Sequence, residues 1–319
     1  MPVLVYAESS EGKFKKVALE ATSYGKKVAQ QLKDSLVVLT INCDNPSELN
    51  TYGADKIVTV SSNKNNSDAK FVANSIQQTA QKENASVIII DSSANGLSIA
   101  PIVAIKLNAG YASNVVALPN STSPLIVKRK SFSNKAFNHT EISTPVKIIG
   151  LAKNSFGLIE SNTEASIEEF SPIIVNSSLS SVSIEKSSGT VSIADAEIVV
   201  SGGRGLKGPE NWGLIEDLAA VLGAATACSK PVSDMGWRPH GEHVGQTGKP
   251  VSSSLYIAIG ISGAIQHLAG INASKVKVVI NTDPEAPFFK AADYGIVGDA
   301  FEVVPKLIEK LKLFKAQNA

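Results

Sequence analysis

The residues best able to do chemistry lie between Val244 and Gly270. The stretch opens as Val244-Gly245-Gln246-Thr247-Gly248-Lys249 and passes through the apolar run Leu255–Ile259. It closes as Gly260-Ile261-Ser262-Gly263-Ala264-Ile265-Gln266-His267-Leu268-Ala269-Gly270. The apolar run is rich in β-branched and aromatic residues and predicts a buried strand. Gly260 and Gly263 bracket a turn in which no Cβ obstructs a close ligand. Ser262 is expected to cap a short helix whose free N–H groups and positive dipole end point outward, and Gly270 to end it. Gln266 and His267 then stand in the first turns, with Thr247 in the loop before the strand. Such a set would bind an anionic ligand and also touch its reactive ring.

Other polar residues follow predicted strands in the same half. A strand over 197–200 runs into Ser201-Gly202-Gly203-Arg204-Gly205-Leu206-Lys207-Gly208-Pro209, where Gly203, Gly205 and Gly208 satisfy G-x-G-x-x-G between a strand and a helix. The acid that grips a nicotinamide ribose about twenty residues on is missing, since residues 218–233 hold no Asp or Glu. An anionic cofactor is therefore expected, but not in the usual NAD placement. Ser229-Lys230 follows a strand over 224–228, Asn281 one over 276–280, and Asp299 one over 294–297. Packing does not demand polar groups at one sheet edge, whereas open α/β sheets bind ligands at the carboxyl ends of their strands.

Competing chemistries fare worse. Gly260-Ile261-Ser262-Gly263-Ala264 lacks the last glycine of a nucleophile elbow, and His267 lies on the same helix, so acyl transfer is not expected. His240, Glu242 and His243 fit no zinc-protease spacing and read as a solvated loop. Trp237 reads as a loop anchor and Cys228 as a small buried residue.

Elements that could position these groups form two domains, 1–190 and 191–319. In the first, strands are expected at 3–7, 36–41, 56–60 and 86–91, alternating with helices at 14–32, 69–82 and 97–107, the last with Pro101 in its first turn. That alternation predicts a doubly wound parallel sheet. The first turn, Glu8-Ser9-Ser10-Glu11-Gly12, carries two acids and would repel phosphate, so this domain reads as scaffold and partner surface. Strands at 124–130 and 146–151, joined by a Ser/Asn-rich connection, and short segments at 165–170 and 173–175 suggest an antiparallel extension. Lys128-Arg129-Lys130 reads as a solvated edge strand. The serine-rich stretch 176–196 is the expected linker. A terminal amphipathic helix is expected over 301–314.

Composition narrows the partners. A net charge of +1 and 6% aromatic residues exclude a basic, base-stacking surface, so no nucleic acid is expected. No apolar run approaches a membrane span, and two distant cysteines, Cys43 and Cys228, fit a reducing compartment. The start lacks the signature of a secretory signal, and a cytoplasmic location is expected.

The motifs at 202–205, 244–248 and 255–270, together with Asn281-Thr282-Asp283-Pro284-Glu285-Ala286-Pro287 and Ala292-Asp293-Tyr294-Gly295-Ile296-Val297-Gly298-Asp299, make residues 197–319 closely similar to the electron-transfer flavoprotein alpha subunit. The first domain resembles that family more loosely, in length and strand order. The resemblance implies a Rossmann-like C-terminal domain holding one FAD, in a heterodimer with a beta subunit of related fold. It implies FAD contacts at Arg204, Ser229, Lys230, Val244, Gly245, Gln246, Thr247, Ser262, Gly263, Ala264, Ile265, Gln266, His267, Asn281, Asp299 and Ala300. Residues 262–266 would cradle the pyrophosphate and ribityl chain, Thr247 would meet flavin N5, and His267 the O2 edge. Asn281 and Asp299 would meet the adenosine end. Lys230 stands where the family usually has an arginine stacked on the flavin, which keeps the charge but loses the planar fork. Lys230 and His267 are expected as cations that favour the one-electron-reduced ring. The resemblance further implies an electron carrier without its own substrate, fed by acyl-CoA dehydrogenases in fatty acid beta-oxidation and emptied by a membrane quinone oxidoreductase. Alternatives are a bifurcating flavoprotein, a flavin- or NAD-dependent oxidoreductase with its own substrate, and a nucleotide-binding module without redox work.

Overall fold

The structure is a computed structural model that describes residues 1–63, 68–132, 134–173 and 192–318. The chain divides into two compact units, Met1–Ile184 and Glu185–Ala319. The boundary expected at 190/191, the strand expected at 173–175 and most of the expected linker fall on 174–191, outside the described residues.

The first unit is built on one large sheet. Its main strands are β1 (Val3–Tyr6), β2 (Leu36–Ile41), β3 (Lys56–Val60), β4 (Val87–Asp91), β5 (Gly110–Val115), β6 (Leu125–Ser131), β7 (Ala136–Ile142), β8 (Lys147–Leu151) and β9 (Ser166–Glu169), and a two-residue strand, Ser121–Thr122, pairs with β6. They lie in the order β7-β6-β5-β8-β4-β1-β2-β3-β9. The central strands pair in parallel. β1, β2 and β4 are apolar at nearly every position because helices cover both faces of a parallel sheet. Helix α1 (Lys16–Leu32) packs Ala21, Tyr24 and Val28 on one face, against Val5, Val38 and Ile89. Helices α2 (Ala69–Glu83) and α3 (Ala94–Leu107) pack Phe71, Ile76, Ile99 and Val103 on the other, against Leu4, Leu39 and Ile88.

Several expectations change here. α3 begins at Ala94, because the Ser93 hydroxyl accepts from Gly96 N at 3.0 Å and caps it a turn early. Pro101 is thus inside the helix, on its exposed side, where the carbonyl it leaves unbonded can be hydrated. The Ser/Asn-rich connection contains β7, which pairs antiparallel with β6 along its whole length. That pairing makes β6 an inner strand. Lys128 lies over the Phe137 ring at 4.5 Å and Arg129 donates to Ser113 at 2.9 Å, so 128–130 is not the free edge it was read as. Residues 166–169 add in parallel to β3 at the far edge, not as part of the antiparallel extension.

One buried contact orders the loop after β8. Glu20 of α1, 1% exposed, accepts backbone N–H groups from Asn154 (2.9 Å), Phe156 (2.7 Å) and Gly157 (2.8 Å).

The second unit is a five-stranded, wholly parallel sheet: β10 (Ile198–Gly202), β11 (Ala225–Cys228), β12 (Leu255–Ile259), β13 (Val276–Asn281) and β14 (Tyr294–Val297), in the order β11-β10-β12-β13-β14. Helices α4 (Gly213–Leu222) and α7 (Ala300–Gln317) cover one face, through Ile215, Leu218 and Val304 on Val200, Ile257 and Ile280. Helix α5 (Lys230–Asp234) follows β11, and α6 (Ile265–Ile271) covers the other face, where its Ile271 and the loop residue Phe288 share a core with Tyr256 and Ala258 of β12. The chain first moves from β10 to β11, then crosses back to β12. The carboxyl ends of β10 and β12 therefore flank the point where strand order reverses, and a crevice opens there. Among the described residues no helix is long and apolar enough to cross a membrane.

Candidate functional site

The crevice at that reversal is a cleft of about 530 Å³, within the range of small-molecule sites. Four strand ends and one loop build it. Gly203 N donates to Ile259 O at 2.8 Å and Gly205 N to Gly260 O at 3.1 Å, which ties the loops after β10 and β12 together. This approach needs glycine. A Cβ on Gly203 would collide with the Gly260 carbonyl, and one on Gly205 would lie 2.6 Å from Gly260 Cα. The first two glycines of the G-x-G-x-x-G stretch thus serve backbone-on-backbone packing at the floor of the cleft. Gly208 and Pro209 form a 3₁₀ turn before α4, which starts only at Gly213.

The loop 243–249 forms the opposite wall. Val244 N donates to Cys228 O at 3.0 Å, Gln246 N to Gln266 O at 2.8 Å, and Val251 N to Gly270 O at 2.8 Å. The loop is thereby pinned both to the end of β11 and along α6. Ser262 does not cap α6. Its carbonyl accepts from Phe288 N at 3.0 Å, Gly263 turns at φ 85°, and the helix begins at Ile265. Nor does Gly270 end it: Gly270 is inside the helix, where a Cβ would stand 2.6 Å from both Cα and N of Gly245. Its role is to admit the loop.

Of the sixteen expected residues, twelve line the cleft: Arg204, Ser229, Lys230, Val244, Gly245, Gln246, Thr247, Ser262, Ala264, Gln266, His267 and Asn281. Four do not. Gly263 backs onto Phe288, and Ile265 is exposed on the first turn of α6. Asp299 caps α7 by accepting from Phe301 N at 3.0 Å and lies 3.7 Å from Lys207 Nζ; Ala300 is buried behind it. The lining also contains Gly205, Pro231, His243, Gly260, Ile261 and Asp283.

His243 is the instructive omission. It is 2% exposed and not part of a merely solvated loop, because the backbone of 245–248 closes over its ring. Its neighbour Glu242 is committed to Arg238, which donates to both carboxylate oxygens at 2.7 and 2.9 Å and stacks over Trp212. Among the described residues no cluster could hold a metal ion.

The electrostatics are uneven. Lys230 and Arg204 are exposed at the rim. The two imidazoles are buried, and desolvation disfavours their charged forms. Burial is the main reason that His267 falls from 6.5 to about 4, helped by the proximity of His243; His243 is itself lowered, first by burial and then by His240. Burial therefore disfavours the charged form of His267, whereas the cationic side chains of Arg204 and Lys230 stand at the rim. Cys228 is buried beneath the site and its thiol pushed up to about 12, which fits a packing role. The His267 shift has a consequence for stability. Between pH 6.5 and 4 the unfolded chain binds a proton here that the folded chain does not, so stability falls as pH falls through that window. The full shift corresponds to about 3 kcal/mol. Urea midpoints of the cofactor-free protein should decline from pH 6.5 to 4.5 more steeply in wild type than in His267→Gln; equal slopes would exclude the shift.

A cleft at the switch point of a doubly wound sheet, with glycine contacts on its floor and cations at its rim, defines a dinucleotide-cofactor domain. Residues 192–272 match the family model described as the electron transfer flavoprotein FAD-binding domain, and residues 3–174 match the electron transfer flavoprotein domain. Similarity extends over whole chains. The chain is 36% identical over 315 residues to the electron transfer flavoprotein subunit alpha of Bacillus subtilis, covering 97% of each chain. It is 34% identical over 326 residues to the subunit alpha of Thermoanaerobacterium thermosaccharolyticum, covering 98% of each. It is also 35% identical over 313 residues to a probable mitochondrial subunit alpha of Caenorhabditis elegans, covering 97% of this chain and 93% of that one. The chain belongs to the electron-transfer flavoprotein alpha-subunit family. Its cofactor is FAD.

Proposed function

We propose that this chain is the FAD-bearing subunit of a heterodimeric single-electron carrier, with a beta subunit as its permanent partner. The observation that carries this reading is the division of labour in the cleft. Cations stand at the rim beside a wall made mostly of uncharged polar groups, and the His267 imidazole is bonded to Tyr256, so the described residues lining the cleft show no hydrogen-bonded serine–histidine pair. That arrangement suits holding a redox ring and tuning its charge better than converting a substrate. When bound, FAD supplies the redox chemistry; the protein supplies binding, orientation and charge.

The residues fit the cofactor. The Gly203, Gly205 and Gly260 contacts leave a floor that a backbone-hugging pyrophosphate can approach. In our reading residues 262–266 hold that pyrophosphate and the ribityl chain, with Arg204 and Ser229 alongside. Val244 to Thr247 and His267 meet the flavin ring, with Thr247 at its N5 side, and Asn281 takes the adenosine end, with Asp299 reaching it only from outside the cleft lining. Lys230 lies over the ring and attracts the charge it gains on reduction. The electron donors are flavin dehydrogenases such as acyl-CoA dehydrogenases, and the acceptor is a membrane quinone oxidoreductase.

The test is to co-express the chain with its beta subunit, identify the released chromophore by mass, and reduce the complex stepwise under a spectrophotometer. One FAD per alpha chain, taking electrons one at a time, is expected. Direct reduction by a small substrate, or a colourless complex, would overturn the reading. In the same titration Lys230→Ala should make uptake of the first electron several-fold less favourable, because a positive charge beside the ring is lost. Equal or easier uptake would remove Lys230 from this role.

A further inference from the structure

Behind the cleft wall, Tyr256 of β12 and His267 of α6 are joined by a hydrogen bond of 2.9 Å between the phenol oxygen and Nε2. Both side chains are buried, Tyr256 completely. The other imidazole nitrogen, Nδ1, has no hydrogen-bond partner, and His267 lines the cleft. The backbone of Val244 lies beside the ring and favours a proton on it. Ser201, on the neighbouring strand β10, is also buried, and its hydroxyl faces the Tyr256 oxygen.

These contacts decide where the protons sit. A neutral imidazole has one N–H and one bare nitrogen, while a phenol has a single proton to give. A buried O–H left without an acceptor is costly. With the Ser201 hydroxyl on the other side as the alternative, the acceptor within hydrogen-bond distance of Tyr256 is Nε2, at 2.9 Å. If Tyr256 donates there, Nε2 is bare and the imidazole proton is on Nδ1. An imidazolium would need Nε2–H as well, which would reverse the bond and turn the phenol proton toward the Ser201 hydroxyl instead. Burial and this bond therefore act in the same direction.

We propose that Tyr256 is a positioning residue for the cofactor site, fixing His267 as the neutral Nδ1–H tautomer so that it meets the flavin as a hydrogen-bond donor. This rests on the reading that His267 faces the ring. No proton is transferred in this arrangement. The imidazole offers a hydrogen-bonding dipole without introducing a full charge into the buried wall. The charged and titratable groups around the cleft wall are Arg204, Lys230, His243 and Asp283 in its lining, with Asp234 of α5 and His240 beside His243.

The test uses the full chain in its FAD-loaded complex, labelled with ¹⁵N-histidine. In wild type the His267 resonances should show a protonated Nδ1 and a bare Nε2 throughout pH 6–8. An Nε2–H tautomer, or an imidazolium in this range, overturns the proposal, and this measurement needs no variant. Tyr256→Phe keeps the ring and removes only the hydroxyl. It should mix the tautomers and weaken FAD binding about three- to tenfold, as expected for one lost hydrogen bond. An unchanged His267 spectrum in a folded Tyr256→Phe also overturns it. His267→Gln separates the two ideas. If it leaves FAD affinity and potential unchanged, the site reading itself fails. If it alters them while Tyr256→Phe does not, the site stands and the role of Tyr256 falls.

Discussion

Replacing Gly270 with alanine is expected to weaken FAD binding by about a hundredfold while leaving α6 helical. In an isolated helix the change would be favourable, because alanine exceeds glycine in helix propensity by about 1 kcal/mol. Here the new methyl would lie 2.6 Å from both Cα and N of Gly245, with no flexible side chain there to swing aside. The backbone of 243–249 must retreat, and the bonds from Gln246 N to Gln266 O and from Val251 N to Gly270 O would be stretched or lost. Overpacking of this kind costs about 1–3 kcal/mol, and it falls on the loop expected to meet the flavin. The loss should therefore appear in cofactor affinity more than in folding. Gly213→Ala is the control. It makes the same chemical change at the start of α4, with nothing within 4 Å of the added atom, and should leave FAD content unchanged and stability equal or slightly higher. FAD content by absorbance, and affinity by flavin fluorescence during titration, distinguish the two. A Gly270→Ala protein that retains full FAD would show that the loop yields freely and that its register does not matter to the site.

The contrast between these glycines shows what the sequence could and could not disclose. The position of the site was legible because Gly203, Ser229, Ser262 and Asn281 each follow an apolar run, and only a ligand-binding sheet edge asks for polar residues there. The central strands were legible for a related reason: β1, β2, β4 and β12 are short apolar runs that both faces of a parallel sheet demand. What failed depended on contacts distant in sequence. Ser262 looks like a helix cap, but its carbonyl is claimed by Phe288 and the following glycine turns the chain. Gly270 looks like a helix stop, but is inside the helix because Gly245 needs the room. His243 looks solvated because no periodicity marks a loop; its burial comes from the 245–248 backbone folded over it. Strand β7 was missed because most of its residues are exposed and it has no apolar face to reveal it. Its neighbour β6 was consequently read as an edge. The depth of His267 was hidden for the same reason, since a histidine beside a polar loop carries no mark of how deeply it will be buried.

The largest effect on stability is expected in the first unit, at Glu20. Its two oxygens receive three backbone N–H groups from a loop more than 130 residues away, all at 2.7–2.9 Å. Phe156, one of the donors, also meets Tyr24 edge to face at 5.3 Å, so the carboxylate and the aromatic pair close the loop over α1 together. Hydrogen bonds to a charged acceptor are worth more than neutral ones, and truncation leaves the buried donors unsatisfied. Glu20→Ala should therefore cost about 3–5 kcal/mol, read as a lower urea midpoint at neutral pH. Glu20→Gln retains one acceptor oxygen, which can keep Phe156 and Gly157, but turns an NH₂ group toward the Asn154 N–H. It should cost less than the alanine change yet clearly more than zero. FAD affinity measured on the folded protein should not move in either variant, because Glu20 is no part of the cleft lining. Equal destabilisation by Ala and Gln would mean that even two retained hydrogen bonds are worthless without the third. Near-wild-type stability in Glu20→Gln would mean instead that shape and two neutral acceptances are enough, and that the negative charge is not what orders the loop.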